Sequence, residues 1–114
     1  MVRSADGGVT WSDPVRFDNI GVLPQLLTLD CGVTLATYGR PTMRMRATSD
    51  PTGENWCSAF EIPITKAGQS CHYTDLLALD ANTALFIYSD FQYPDDGGEP
   101  VKTILVRTVT VVPD

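Results

Sequence analysis

The residues of this 114-residue chain that could do chemistry fall in a few places. Arg40, Arg44 and Arg46 form its only dense basic cluster. A guanidinium stays charged at any relevant pH, and its planar fork can bond both oxygens of a carboxylate. Arg44 and Arg46 alternate along a strand and read as outward positions, whereas Arg40 stands in a loop, placed either to grip an acidic group or to be solvated. A formal net charge of −6 works against a phosphate-backbone partner, so nucleic acid is not expected. Tyr73 reads, on the residues alone, as a core or rim aromatic with a satisfied hydroxyl, and His72, the single histidine, as a loop residue. Asp95, Asp96 and Glu99 lack EF-hand spacing and read as a solvated turn. Cys31, Cys57 and Cys71 have neither CxxC spacing nor histidine neighbours, which points to free thiols rather than a zinc site. No metal or other cofactor is expected.

The elements that position these residues announce themselves at the N-terminus. Ser4-Ala5-Asp6-Gly7-Gly8-Val9-Thr10-Trp11 matches the Asp box, Ser-x-Asp-x-Gly-x-Thr-Trp. Its physics is that of a tight hairpin: Ser4 and Asp6 side chains bond local backbone, Gly8 takes positive φ, and Trp11 folds back beneath the strands. Such a turn leaves no reactive group free, so its role is structural. A second, degenerate copy stands in Thr48-Ser49-Asp50-Pro51-Thr52-Gly53-Glu54-Asn55-Trp56, which keeps Asp50, Gly53 and Trp56 but gains a residue before the glycine and has Asn55 for threonine.

The chain also repeats itself. Leu26 to Tyr38 aligns with Leu76 to Tyr88 through its leucines, the turn aspartates Asp30 and Asp80, and the closing tyrosines. Periods of this size accompany propeller blades. Alternating and β-branched runs between turn signals predict strands at Trp11 to Phe17, Pro24 to Leu29, Val33 to Tyr38, Thr42 to Thr48, Trp56 to Ile64, Tyr73 to Leu79, Ala84 to Ser89 and Lys102 to Val112. Phe91 to Pro100 is expected to be a loop. The chain is therefore all-β. No apolar run reaches the roughly 20 residues of a membrane span, and the start lacks the apolar stretch of a signal peptide, so no membrane partner is expected.

Taken together, the box at Ser4 to Trp11, the phrases Pro24-Gln25-Leu26-Leu27-Thr28-Leu29 and Tyr38-Gly39-Arg40-Pro41, the second box, and Ser70-Cys71-His72-Tyr73-Thr74-Asp75-Leu76-Leu77 resemble the C-terminal part of the sialidase (neuraminidase) superfamily. These are the six-bladed BNR, or Asp-box, β-propellers that include exo-α-sialidases. The resemblance implies a partial propeller of about two and a half four-stranded antiparallel blades: the end of one blade in residues 1–17, a complete blade in 18–65 and most of the next in 66–114. It implies that Arg40 is the third carboxylate-binding arginine and Tyr73 the nucleophile, with His72 standing where the family phrase carries glycine. It also implies an acidic glycan substrate.

Strand topology supports that pairing. Tyr73 precedes a first strand and Arg40 comes after a second, which puts both at one sheet edge, while Asp6 and Asp50 lie at the other. The glutamate that activates the tyrosine, the acid/base aspartate and the other arginines are not matched, so the chain alone should be inactive. A non-catalytic propeller module binding glycans or proteins is the alternative reading, since fold does not dictate function. Open strand edges further predict self-association, with two blades per chain closing a six-bladed ring as a trimer.

Overall fold

A computed structural model of the chain describes residues 1–68 and 72–112; Ser70 and Cys71 lie outside them. The protein is all-β, with no helix among the described residues. Two antiparallel sheets are formed. The first has four strands in chain order, β1 (Gln25–Thr28), β2 (Thr34–Gly39), β3 (Met43–Thr48) and β4 (Phe60–Ile62). The second has three, β5 (Thr74–Ala78), β6 (Thr83–Pro94) and β7 (Pro100–Thr110).

The sequence repeat is visible as repeated geometry. In the first hairpin Leu29 N–H donates to Val33 O at 2.9 Å, and in the second Leu79 N–H donates to Thr83 O at 2.8 Å. Register agrees, with Leu27 opposite Leu35 in one sheet and Leu77 opposite Leu85 in the other.

Alternation then decides which side chains are buried. On the first sheet Leu35, Met43, Met45 and Ile62 point to the second, and meet its Ala84, Phe86 and Tyr88 in one core. Thr37 and Thr74, both buried, share a 2.9 Å hydrogen bond between hydroxyls across the two sheets. The opposite face of the first sheet is covered by the N-terminal segment. Phe17 lies edge-on to Tyr38 and Trp56, with ring centroids 5.5 and 5.1 Å away, and the Arg46 guanidinium stacks 5.0 Å from its centre. Asp18 accepts bonds from the Tyr38 hydroxyl at 2.5 Å and from Arg44 at 2.9 Å.

Several expectations need correction. Trp11 to Phe17 is not a regular strand: it is joined to Met1–Arg3 by only a few bonds, Ser12 N–H to Arg3 O at 2.7 Å and Val15 N–H to Met1 O at 2.8 Å. Pro14 supplies no N–H, which interrupts such a ladder. The strand predicted over Trp56 to Ile64 shrinks to β4. Phe91 to Pro100 is not a loop but the end of a long hairpin: β6 continues through a bulge between Asp90 and Tyr93 to Pro94, and only Asp95–Glu99 turn. There Asp95 Oδ1 accepts from the Gly97 and Glu99 amides, both at 2.9 Å, which closes the tip without a cation. Arg44 and Arg46 are half-buried against the N-terminal segment rather than solvated. Cys31 and Cys57 are free thiols, as expected.

Candidate functional site

The two box turns are built by matching side-chain networks. In the first, Gly8 N–H donates to Ser4 Oγ at 2.7 Å, while Thr10 donates from its amide to Asp6 Oδ1 at 2.9 Å and from its hydroxyl to Oδ2 at 2.6 Å. The Trp11 indole N–H closes on Gly8 O at 3.1 Å. In the second, Asn55 takes over from threonine: its amide and its side-chain NH₂ both donate to Asp50 Oδ2, at 3.0 and 2.8 Å. Trp56 then closes on Gly53 O at 2.9 Å. An amide and a hydroxyl are interchangeable here because the carboxylate needs only two donors at that spot.

Both aspartates are thereby held in the charged form. Bonds from the Thr10 hydroxyl and amide bring Asp6 down to about 2, and bonds from Thr52 hold Asp50 well below the usual carboxylate range. Groups so fully occupied have no capacity left for chemistry. Trp11, expected beneath the strands, is 62% exposed, because nothing among the described residues packs over it. Arg3 joins the two turns, donating to Gly53 O at 3.2 Å and pairing with Glu54 at 3.5 Å. The largest cleft of the molecule, about 600 Å³, lies between them, lined by Arg3, Trp11, Pro51 and Glu54 among others.

Arg40 and Tyr73 lie at the opposite end of the sheets. The box turn comes after Thr48, which pairs with Thr34, whereas Arg40 comes after Gly39, at the far end of β2. Tyr73 immediately precedes β5, whose Thr74 reaches Thr37 of β2. The segments touch through their neighbours. Gly39 packs so closely on His72 that a β-carbon on it would stand 2.6 Å from the His72 carbonyl oxygen and 2.8 Å from its β-carbon.

Arg40 and His72 both hold left-handed backbone, with φ of 67° and 52°, in a region that non-glycine residues enter at a cost of about 1–2 kcal/mol. Arg40 and Tyr73 are exposed, Tyr73 by 51%. His72 is not a solvated loop residue: it is buried beneath them. Burial pushes its imidazole below the usual range, with the Arg40 charge acting the same way, against Asp90 and the Pro41 carbonyl.

Asp90 was not singled out from sequence. It is buried on β6, where its carboxylate accepts from the Thr65 amide at 2.9 Å and the Gln92 amide at 3.0 Å. These bonds hold it charged although burial opposes that. A carboxylate within the run Tyr88-Ser89-Asp90-Phe91 was the available signal.

Tyr73 also forms one wall of a shallow apolar groove of about 450 Å³, with Ile87, Tyr88, Phe91 and Ile104. Arg40 does not line it. The chain's glutamates are engaged elsewhere: Glu61 with Arg44 at 3.3 Å, Glu54 with Arg3, and Glu99 in the hairpin tip. Among the described residues no cluster of His, Cys, Asp or Glu is arranged to hold a metal ion.

Compared with models of protein families, with curated proteins and with solved structures, the chain matches none.

Proposed function

We propose that this chain is part of a sialidase-like β-propeller glycoside hydrolase, in which Arg40 binds the carboxylate of an acidic sugar and Tyr73 is the nucleophile. The observation that supports it is the contact of Gly39 with His72, which brings the Arg40 turn and the Tyr73 segment together at the sheet end remote from the box turns. A guanidinium suits the sugar's carboxylate, and a neutral phenol approaches an anionic substrate without repulsion.

Attack by the phenol oxygen on the anomeric carbon requires a base to take its proton. With the three glutamates engaged elsewhere, the isolated chain carries half of the machinery and is inert. The same fact favours a second reading, a non-catalytic propeller module in which Arg40 binds an acidic glycan without turnover.

Two measurements test the proposal. N-acetylneuraminic acid, added to the isotopically labelled chain, should shift the amide signals of Arg40 and Tyr73, and Arg40→Ala should abolish the shifts. Saturating sugar without any such shift would refute both readings. A fluorogenic sialoside should be left intact by the isolated chain; turnover that vanishes in Tyr73→Phe would overturn the claim of inertness.

A further inference from the structure

The two sheets stack in one sense, each presenting one face to the preceding part of the chain and the other to the succeeding part. Residues one register position apart make this plain. In the first sheet Leu27 and Leu35 share the face that packs on the second sheet. Their repeats in the second sheet, Leu77 and Leu85, point away from the first. With Ile87, Ile104 and Val106 they form a contiguous apolar face that no described element covers, on which Leu77, Ile104 and Val106 are 56, 74 and 58% exposed. The outer edge of β7 is likewise unpaired among the described residues.

The opposite end of the molecule has the matching deficit. The hairpin of Met1–Arg3 with Ser12–Val15 lies on the first sheet's side, and its Val2, Trp11 and Val15 side chains are exposed. Charge is complementary. The only charges of β7 are Lys102 and Arg107, while the only ones between Ser4 and Val15 are Asp6 and Asp13. An exposed apolar face beside a free strand edge is the usual signature of an association surface.

We infer that the free face and edge of the second sheet bind the N-terminal hairpin of a second copy of this chain, in a head-to-tail contact that repeats the internal stacking. Such a contact is heterologous, so it closes as a ring rather than as a two-fold dimer. Three copies supply six sheets, the number in the propellers that the box motifs resemble.

Sedimentation of the intact chain at micromolar concentration should give about three times the 12.4 kDa monomer mass. The double variant Ile104→Glu/Val106→Glu blocks the tail, and Val15→Lys blocks the head. Each should sediment as a monomer with an unchanged circular-dichroism spectrum, since the altered side chains are at least half exposed. Mixed in equal amounts, the two variants should form a dimer, because one intact head then meets one intact tail. A wild-type chain that stays monomeric overturns the inference. So does self-association that survives either block, or variants that fail to pair on mixing.

Discussion

The backbone of His72 rests directly on Gly39, with no room for a side chain between them. This contact joins the β2–β3 turn that bears Arg40 to the segment that bears Tyr73, and it sets the requirement for glycine in Tyr38-Gly39-Arg40. The requirement is purely steric, since Gly39 is not among the positive-φ residues.

Gly39→Ala should therefore lower stability by about 1–3 kcal/mol, the usual cost of forcing an added carbon into a packed site. Urea denaturation monitored by tryptophan fluorescence measures it. At Gly32, with φ 85° and open space around the added carbon, alanine should cost about 1–2 kcal/mol through backbone strain alone. Only the Gly39 variant should disturb the amide signals of both Arg40 and Tyr73.

Asp6 gives the protein an acid-sensitive turn. Its folded value of about 2 lies below the ordinary value of 3.8, so its contribution is complete above about pH 4 and is lost as pH falls through 2. Asp6→Ala should thus be less stable than the parent at pH 7, with the difference shrinking between pH 4 and 2. Urea midpoints at several pH values across that range give the curve.

Tyr38 behaves in the opposite sense. Burial, and then the Asp18 carboxylate that accepts its hydrogen bond, push its phenol up to about 12. The neutral phenol is favoured in the folded protein, so its contribution holds below pH 10 and is lost as pH rises through 12. Absorbance at 295 nm should show one tyrosine ionising near pH 12 that is missing in Tyr38→Phe. Losing a hydrogen bond to a charged group should cost that variant about 1.5–3 kcal/mol at neutral pH.

Asn55 can be tested as a substitute for threonine. Asn55→Thr should leave the thermal midpoint nearly unchanged, because a hydroxyl beside Asp6 makes the same bond in the first turn. Asn55→Val keeps the amide bond but removes the side-chain donor, and should lower the midpoint by a few degrees, roughly what a loss below 1 kcal/mol produces at this size.

Much of this architecture could be read from the sequence because its signals are local. The box turns, the Leu-Leu-x-Leu-Asp hairpins and the alternation of β2, β3, β5 and β6 depend on residues within a few positions of one another. Arg40 and Tyr73 could be assigned to one end of the sheets from strand order alone. What escaped was set by distant contacts. The burial of His72 depends on Gly39, the half-burial of Arg44 and Arg46 on Phe17 and Asp18, and the exposure of Trp11 on a neighbour that no pattern specifies. The extension of the β6–β7 hairpin escaped because Pro94 and Pro100 mark a turn in sequence, yet both sit at strand ends, where a missing N–H breaks no ladder.

The bonds from Asp6 and Asp50 reach at most five residues along the chain, whereas the side-chain ties of the N-terminal segment to the first sheet run from Asp18 to Arg44 and from Arg3 to Gly53. Short-range turns close at little entropic cost, and long-range straps are the last to close and the first to open. Amide exchange should therefore separate two time regimes in one small chain, with the strap from Met1 to Asn19 detaching from a sheet whose own turn at Asp50 stays shut. Native-like opening would then expose Phe17 and Tyr38 together, before any strand is lost.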